Sequence, residues 1–336
     1  MKDDLILLAH GGGGLLTQEL VEEIMLPAFK NSALAARDDG ALVQISGTEL
    51  VFSTDAYVVK PRFFPGGDIG KLAVCGTVND IAVCGAKPLY LSVAFIIEEG
   101  FSRRELSEIV ASMAQAAKEA GVQIVTGDTK VVERGNVDGL YITTAGIGQR
   151  LPGITVSGSL AKAGQDIILS GSLGEHAMTV MAQRHGLTLP EEIRSDCAPL
   201  NGVIEELLQA VPQISVLRDV TRGGLATTLH EIAEQSGVTL TIAEEAIVVH
   251  PAVRAAADML GFDPLYLANE GKFLICVEST YSQRVVDILQ QHAKSGDASI
   301  IGTVGNGLPG RVVLKTLVGG ERILDMPLGD LLPRIC

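Results

Sequence analysis

Residues 65–84 read PGGDIGKLAVCGTVNDIAVC, a glycine-rich opening followed by small and apolar residues. The segment Gly66–Gly70 is typical of a turn that opens a helix, and Lys71–Cys84 predicts that helix. Asn79 and Asp80 stand in its otherwise apolar interior. Polar residues look out of place there, so both are candidates for a functional role.

Strand and helix patterns alternate on both sides of this stretch. Short apolar runs predict strands at 5–9, 41–45, 49–52, 57–59, 122–125 and 140–147, with helices after Gly14 and over 106–120. From Gly164 the mixture restarts, with strands at 166–169, 215–217, 238–242 and 272–277 and near Ile300 and Val312. Helices are predicted there at 175–185, 203–211, 225–235, 252–260 and 282–293.

These patterns predict a mixed α/β, or α+β, protein with two domains, because 336 residues suffice for two apolar cores. We predict a glycine-rich segment and helix over 1–40 and a first domain over 41–150. A second domain follows over 151–326. Residues 327–336 form a flexible tail that ends in Cys336.

Composition excludes several classes of function. The net charge is −14 and Trp is absent, so the chain would repel a polyanion and offers few platforms for unpaired bases. The longest apolar runs fall far short of the roughly 20 residues that a membrane helix needs. The first four residues, with two acids, do not resemble a signal peptide. We therefore expect a cytoplasmic protein that binds neither nucleic acid nor membrane.

Five cysteines occur, without a Cys-x-x-Cys pair, so neither a disulfide framework nor a zinc site is predicted. Cys75, Cys84 and Cys276 lie in apolar stretches, where a cysteine usually acts as a small buried hydrophobe. Cys336 differs, because a thiol at the end of a tail can enter a cleft, be modified there and then be presented to another protein. From composition alone, a cysteine at the C-terminus would be taken as coincidental.

Carboxylates follow several apolar strands and give the strongest signal for chemistry. They are Asp55, Asp128, Asp219 and Glu270, joined by Asp80 on its helix. Clustered carboxylates repel one another, and Mg²⁺ bound to one or two of them and to phosphate oxygens relieves that repulsion. The set therefore predicts Mg-ATP. A single Asp at a strand end can equally cap a turn.

Two glycine-rich segments, Gly11–Gly14 and Gly66–Gly70, could bring backbone N–H groups to a phosphate. Pro65 and Leu72 replace the Gly and the Ser or Thr of a P-loop, which excludes a Walker motif. His10 and the glycines after it are similar to the oxyanion loop of esterases, but no Gly-x-Ser-x-Gly follows. A serine hydrolase is therefore excluded.

His10 and Lys130 are further candidates. His10 could bind phosphate or move a proton, and Lys130 could neutralise charge on a transferring phosphoryl group. An isolated histidine that satisfies local hydrogen bonds and a plain surface lysine are the competing interpretations.

The motifs together resemble those of the hydrogenase maturation factor HypE over essentially the whole chain. They are His10–Gly14, Phe52–Asp55, Pro65–Leu72, Asn79-Asp80, Thr126–Lys130, Arg218–Gly224, Ala268–Lys272 and Pro333-Arg334-Ile335-Cys336. Most of them also look like motifs of the aminoimidazole ribonucleotide synthetase superfamily. Only the Pro-Arg-Ile-Cys ending is specific to HypE-like proteins.

The resemblance implies a PurM-like fold whose N-terminal domain pairs with its twin as a β-barrel homodimer, with ATP in clefts beside the domain junction. The residues and the resemblance together give three sets of site residues. The catalytic set is Cys336, Lys130, Glu270 and His10. The nucleotide-binding set is Gly11, Gly12, Gly13, Gly14, Gly66, Gly67, Lys71, Asn79, Thr129 and Gly223. The Mg²⁺ set is Asp55, Asp80, Asp128 and Asp219.

The resemblance also implies the chemistry. HypE-like proteins receive a carbamoyl group on the terminal cysteine from the carbamoyltransferase HypF and dehydrate it with ATP to a thiocyanate. The cyano group then passes to iron on the HypC–HypD complex for the NiFe centre. We take Glu270 as the base.

Two alternatives stay open. One is a phosphotransferase of the same superfamily, a selenophosphate synthetase or a thiamine-phosphate kinase, although the former usually carries a reactive Cys or selenocysteine near its N-terminal glycines. The other is a non-catalytic scaffold that binds nucleotide and partner proteins. ATP turnover discriminates between an enzyme and a scaffold.

Overall fold

The computed structural model describes residues 6–29, 31–329, 332 and 334–336 and has the predicted mixed α/β architecture. Leu5 and Pro333, which belong to predicted features, lie outside the described residues. The N-terminal segment holds α1 (Leu15–Leu20), a π-helical turn (Val21–Met25) and α2 (Leu26–Phe29) in one helical run. The predicted strand at 5–9 is wrong over its described part, because Leu8–Gly11 form a 3₁₀ turn.

The first domain is a five-stranded sheet covered on one face by two helices. In chain order it contains β1 (Ala41–Ile45), β2 (Thr48–Tyr57), β3 (Phe63–Phe64), β4 (Gly67–Asp68), α3 (Ile69–Val83), β5 (Ala86–Glu98), α4 (Arg103–Ala120), β6 (Gln123–Val132) and β7 (Leu140–Arg150). The strand order is β1-β2-β7-β5-β6, and only the β5–β6 pair is parallel. β3 and β4 form a separate small hairpin.

Helix α3 is the buried centre of the first domain. Its first turn is capped by Asp68, whose Oδ1 accepts hydrogen bonds from the Gly70 and Lys71 amides at 2.7 and 3.2 Å. Nearly every residue of α3 is buried, because α4 and the sheet cover it on one side and the second domain covers it on the other. The small residues of the sequence therefore permit close packing on all faces.

The second domain is a seven-stranded sheet with helices on both faces. Its elements are β8 (Gln165–Leu169), α5 (Glu175–His185), α6 (Asn201–Ala210), β9 (Val216–Asp219), α7 (Gly224–Ser236), β10 (Thr239–Ala243), α8 (Pro251–Leu260), β11 (Phe273–Glu278), α9 (Ser279–Leu289), β12 (Ser299–Gly305), β13 (Arg311–Lys315) and β14 (Glu321–Ile323). The strand order is β14-β13-β10-β12-β8-β11-β9.

Alternate residues of the second sheet enter two different cores, as the two-residue period of a strand requires. Ile167 and Leu169 pack with α7, whereas Ile168 packs with α6 and α9. The end of α3 joins the latter core through Ala82 and Val83. The core of the first domain in turn continues into α5 and α8. The two domains are therefore packed against each other over a wide apolar contact.

The outer face of the first sheet is exposed and apolar. Every residue of β6 except Val132 is exposed, and Phe52, Tyr90 and Ile96 are 46%, 43% and 37% exposed. Contiguous apolar surface of this kind usually marks an interaction site.

Three details differ from the sequence predictions. The predicted strand at 49–52 is part of a longer strand, β2, which ends at Tyr57, so Asp55 lies inside a strand and not after it. The strand predicted at 57–59 is wrong for Val58 and Val59, which lie outside β2. The predicted strand at 122–125 extends to Val132, which also places Asp128 inside a strand. The long strand β5 was not predicted, and helix α9 ends at Leu289. Among the described residues, no helix is both long and apolar enough to cross a bilayer.

Candidate active site

Three carboxylates from three elements meet at the domain junction. Asp55 comes from β2, Asp80 from α3 and Asp219 from the end of β9. The Tyr57 hydroxyl donates to Asp55 Oδ2 at 3.1 Å, and the Ser53 hydroxyl donates to Asp80 Oδ2 at 2.6 Å. Gly76 permits this arrangement, because a Cβ there would lie 2.2 Å from the Tyr57 hydroxyl.

Burial and mutual repulsion raise the pKa values of Asp80 and Asp219. Desolvation raises the pKa of Asp80 well above its usual value, and the charges of Asp55 and Asp219 add to the rise. Burial also raises the pKa of Asp219 to about 6, although Arg218 opposes the rise. A cation beside these carboxylates would offset their mutual repulsion and stabilise their charged forms.

Glu270 lies beside this acid cluster, in the segment before β11, and is 4% exposed. Its Oε1 atom is buried and accepts no hydrogen bond from the described residues. Burial raises the pKa of Glu270 well above its usual value, with the charges of Asp196, Asp219 and Asp55 as further causes. Asp196 fixes the segment, since its carboxylate oxygens accept from the Glu270 and Gly271 amides at 3.0 and 3.1 Å.

Asn79, the neighbour of Asp80, joins the two domains. Its Oδ1 accepts from the Leu200 amide at 2.8 Å, and its Nδ2 donates to the Ala198 and Glu270 carbonyls at 3.1 and 3.4 Å. Both ends of this buried amide are thus bonded to the second domain. The geometry assigns Asn79 to holding Glu270 and Asp80 side by side.

The C-terminal tail docks onto the same junction. The Val58 amide donates to the Cys336 carbonyl and the Lys60 amide donates to the Arg334 carbonyl, both at 3.1 Å. Ile335 is buried at 3% exposure. Cys336 is therefore bonded to Val58, which follows Tyr57 directly and is three residues after Asp55. The tail has a defined docked position, and its mobility stays a prediction.

Arg222 belongs to a motif noted in the sequence, but the sequence analysis did not single it out as a site residue. It lies after β9, in the turn that Gly223 and Gly224 close, and its guanidinium donates to the Gly11 carbonyl at 3.0 Å. The charges of Cys336, first, and of Asp55 and Glu270 raise the pKa of Arg222. Its position three residues after Asp219 was the available signal.

The loop Gly11–Gly14 closes over the tail. The amides of Gly12 and Gly13 bond to Ala9 and Thr17, and a Cβ at Gly14 would lie 2.3 Å from the Pro327 carbonyl. His10 lies in the 3₁₀ turn, where its Nδ1 accepts from the Leu7 amide at 3.0 Å. The structure thus brings the loop near Arg222 and the tail, and His10 makes local hydrogen bonds.

The other predicted nucleotide-binding residues in turns make close contacts within the chain. A Cβ at Gly66 would lie 2.8 Å from the Ser195 carbonyl, and Lys71 Nζ donates to the Gly66 carbonyl at 2.9 Å. Gly67 packs against Phe64. Gly223 has a φ of +77° and caps α7, where a Cβ would meet the Thr227 hydroxyl.

Asp128, Thr129 and Lys130 are separated from the acid cluster of their own chain. Their strand, β6, is three strands from β2, which is about 14 Å at the usual spacing. Lys130 pairs with Ile96 on the exposed outer face of the sheet, whereas Asp55 lies on the inner face. Lys130 Nζ is 2.9 Å from Asp128 Oδ2, and this lysine together with the Thr129 amide lowers the pKa of Asp128.

Nowhere in 6–29, 31–329, 332 and 334–336 do three or more His, Cys, Asp or Glu side chains form a group that could hold a metal ion by themselves. A cation at Asp55, Asp80 and Asp219 would therefore need ligands from a bound molecule, as Mg²⁺ commonly does with phosphates.

Comparison with known proteins first identifies the class of protein to which the two domains belong. Residues 37–149 match the family model "AIR synthase related protein, N-terminal domain", and residues 162–315 match the corresponding C-terminal domain. A solved structure of ThiL with AMPPCP and TMP, at 15% identity and a TM-score of 0.69, shares the fold.

Similarity over the full length defines the family. Carbamoyl dehydratase HypE of Azotobacter vinelandii is 46% identical, with 100% of this chain and 98% of that protein covered. The corresponding protein of Escherichia coli is 45% identical, with 98% and 99% covered. A HypE structure in complex with ATP is 46% identical, covers 99% of this chain and all of that one, and has a TM-score of 0.84. HypE from a HypE–HypF complex has a TM-score of 0.87 at 49% identity, with 92% and 99% covered. The chain belongs to the HypE family of carbamoyl dehydratases, ATP-dependent enzymes of hydrogenase maturation.

Proposed function

We propose that this chain uses ATP to dehydrate an S-carbamoyl group on its own Cys336 to a thiocyanate. The observation that carries this proposal is the docked tail, which puts Cys336 beside Arg222 and next to the strand that bears Asp55. A thiol placed there can present a small carboxamide to the acid cluster and to Glu270. The relatives named carbamoyl dehydratase support the same conclusion.

The reaction balances in two steps. The carbamoyl oxygen attacks the γ-phosphorus of ATP, an O–P bond forms and ADP leaves. The C–O bond then breaks, phosphate departs with the oxygen, and the two protons on nitrogen are lost as the C≡N bond completes. Phosphorylation is needed because an amide oxygen is otherwise a poor leaving group.

Glu270 is the base that takes a proton from the carbamoyl nitrogen. Its unpartnered buried oxygen can accept such a proton, and its raised pKa suits a base that must also release it. Arg222 faces Cys336 and stabilises negative charge on the carboxamide oxygen. His10 is a second proton acceptor that would require the glycine loop to rearrange.

The acid cluster fits Mg²⁺. Asp55, Asp80 and Asp219 combine oxygen ligands with raised pKa values at Asp80 and Asp219, which is the electrostatic state that a hard cation relieves. When bound, Mg²⁺ would draw charge from the ATP phosphates. Asp128 would contribute from β6 of a second copy.

The chain acts as a homodimer formed through the outer face of the first sheet. This surface carries exposed Phe52, Tyr90 and Ile96, at 46%, 43% and 37% exposure. The outer face also carries Lys130, whereas Asp55 of the same chain lies on the inner face. The β-barrel dimer that the resemblance implies would bring Asp128, Thr129 and Lys130 of a second copy to the nucleotide, with Lys130 stabilising the transferring phosphoryl group.

The partners follow from the chemistry. A HypF-type carbamoyltransferase would load Cys336, in keeping with the solved HypE–HypF complex. A HypC–HypD complex would accept the cyano group for the iron of a NiFe hydrogenase. We place these steps in the cytoplasm, where thiols stay reduced.

Mass spectrometry of the C-terminal peptide tests the proposal. The chain is incubated with a HypF-type partner, carbamoyl phosphate and ATP, beside the matched variant Cys336→Ser. We expect a cyano adduct on Cys336 in the wild type and none in the variant. A wild-type peptide that keeps its carbamoyl group while ATP is consumed would refute the dehydration.

A further inference from the structure

His176 is a buried histidine that the reaction above does not use. It is the second residue of α5, has no exposed surface, and packs edge-on against Phe64 with ring centroids 5.3 Å apart. Both ring nitrogens are within hydrogen-bond distance of a partner. Nε2 is 2.8 Å from the Ile335 carbonyl oxygen, and Nδ1 is 2.8 Å from the Ser195 hydroxyl.

The direction of these hydrogen bonds is fixed by the partners. A carbonyl oxygen can only accept, so Nε2 carries the proton and donates to Ile335. In the neutral ring Nδ1 must then accept, so the Ser195 hydroxyl donates to it. That hydroxyl in turn accepts from the Cys197 amide at 3.1 Å. Burial lowers the pKa of His176, which keeps the ring in this neutral form at neutral pH.

Ile335 is the residue directly before the reactive cysteine. We infer that His176 is a positioning residue: with Ser195 setting its tautomer, it holds the Ile335 carbonyl and so keeps Cys336 in the cleft during the ATP-dependent step. The role of His176 in dehydration rests on the proposed function. The contact between His176 and the tail is independent of that function.

The contact matters energetically because both groups are buried. In the docked tail Ile335 is 3% exposed and His176 has no exposed surface, so loss of the donor leaves a buried carbonyl acceptor unsatisfied. Such a loss shifts the docking equilibrium by about ten-fold. The undocked tail regains hydrogen bonds to water, so the shift is toward an exposed Cys336.

Two substitutions of similar size separate the tail contact from a general structural role. His176→Gln places an amide nitrogen where Nε2 stands and keeps the donor to Ile335. His176→Asn keeps an acceptor for Ser195 near Nδ1 but does not reach Ile335. A role in packing alone would affect Asn and Gln alike, whereas a role in holding the tail affects Asn alone.

The first measurement is the rate of Cys336 alkylation by iodoacetamide, followed by mass spectrometry of the C-terminal peptide without ATP or partner. Cys84, which is partly buried and caps the C-terminus of α3, serves as the internal control. We expect about a ten-fold faster rate in His176→Asn and a rate within about two-fold of wild type in His176→Gln. Equal rates in Asn and wild type, or equal increases in Asn and Gln, would overturn the inference.

The second measurement uses chains carbamoylated beforehand, with a single turnover of ATP. His176→Asn should dehydrate more slowly, but by less than the factor seen in alkylation, because dehydration follows the docked fraction of the tail and alkylation follows the undocked fraction. Its carbamoylation by the HypF-type partner should not slow. If the proposed function is wrong, no chain yields thiocyanate, yet the alkylation rates still test the tail contact. If His176→Asn does not fold, Ser195→Ala replaces it with an expected rise of about three-fold. An unchanged rate there would overturn the inference.

Discussion

The backbone amide of Val58 donates a hydrogen bond of 3.1 Å to the main-chain oxygen of Cys336, the last residue of the chain. Val58 follows Tyr57, whose hydroxyl bonds to Asp55. A single short segment of the first domain thus carries both a carboxylate of the acid cluster and the docking position of Cys336. This adjacency is the structural basis of the proposed function, because a carbamoyl group on Cys336 would lie on the same segment as the carboxylate of Asp55.

Glu270→Gln should abolish dehydration while ATP binding is retained. The amide is isosteric with the carboxyl but cannot take a proton, and loss of a general base typically slows a reaction about 10²–10⁴-fold. Single-turnover mass spectrometry and equilibrium nucleotide binding measure the two effects. Glu175→Gln is the matched control, because burial also raises the pKa of Glu175 and its carboxyl bonds to Ser172. Normal thiocyanate formation by Glu270→Gln would exclude Glu270 as the base.

Asn79→Ala should destabilise the protein by about 2–3 kcal/mol, because it leaves the buried Leu200 amide and Ala198 carbonyl without partners. Urea unfolding followed by circular dichroism measures the change. Asn136→Ala removes an exposed side chain bonded to Glu133 and should change the free energy of unfolding by less than about 0.5 kcal/mol. Equal effects of the two substitutions would show that the interdomain contact of Asn79 contributes little.

Sequence patterns predicted the fold well where burial has a clear period. Helix α5 was predicted at its observed bounds, Glu175–His185, and the two-domain mixed architecture is confirmed. Strand β5 escaped prediction because Pro88 and the register shift between Pro88 and Tyr90 interrupt its pattern. The strand predicted at 5–9 failed because a short apolar run does not distinguish a strand from an exposed turn.

The candidate site was predicted in part, and the stated reason was incomplete. Carboxylates were expected to gather at strand ends, but Asp55 and Asp128 lie within strands, and Asp55 reaches the cluster by facing the inner side of the sheet. The sequence around an acid in a strand does not show which face of the sheet the acid side chain occupies. His176 and Arg222 escaped notice because their partners, Ile335 and Cys336, are over 100 residues away in sequence.

Phe52→Glu should convert the proposed homodimer into a monomer, because it places a charge in the apolar outer face of the first sheet. Sedimentation velocity measures the mass in solution. ATP-dependent dehydration should fall about 10²-fold or more, since Lys130 of a second copy would be lost from the site. Val318→Glu, at a position 94% exposed in the second domain, should change neither property. A fully active monomer would contradict the shared site.

The Asp138 carboxylate should titrate far below its usual range. Lys60, first, and Arg334 of the tail lower its pKa from 3.8 to about 2. Because the folded-state pKa is depressed, these contacts stabilise the docked tail above about pH 4 and are lost as the pH falls to about 2. Carbon-13 NMR of the carboxyl carbon follows this titration.

Two substitutions check the cause of this shift. Arg334→Ala should raise the Asp138 midpoint, and Lys60→Met should raise it further, since the lysine hydrogen bond is the largest cause. A midpoint of about 2 that neither substitution changes would show that Asp138 does not hold the tail.

The most direct test follows the oxygen of the carbamoyl group. The chain is carbamoylated on Cys336 with a group that carries ¹⁸O in its carbonyl position, and ATP is added for one turnover in unlabelled water. Phosphorylation of that oxygen predicts that the released inorganic phosphate contains the label and that Cys336 gains an unlabelled cyano group. Unlabelled phosphate, formed beside a carbamoyl group that remains on Cys336, would contradict the account.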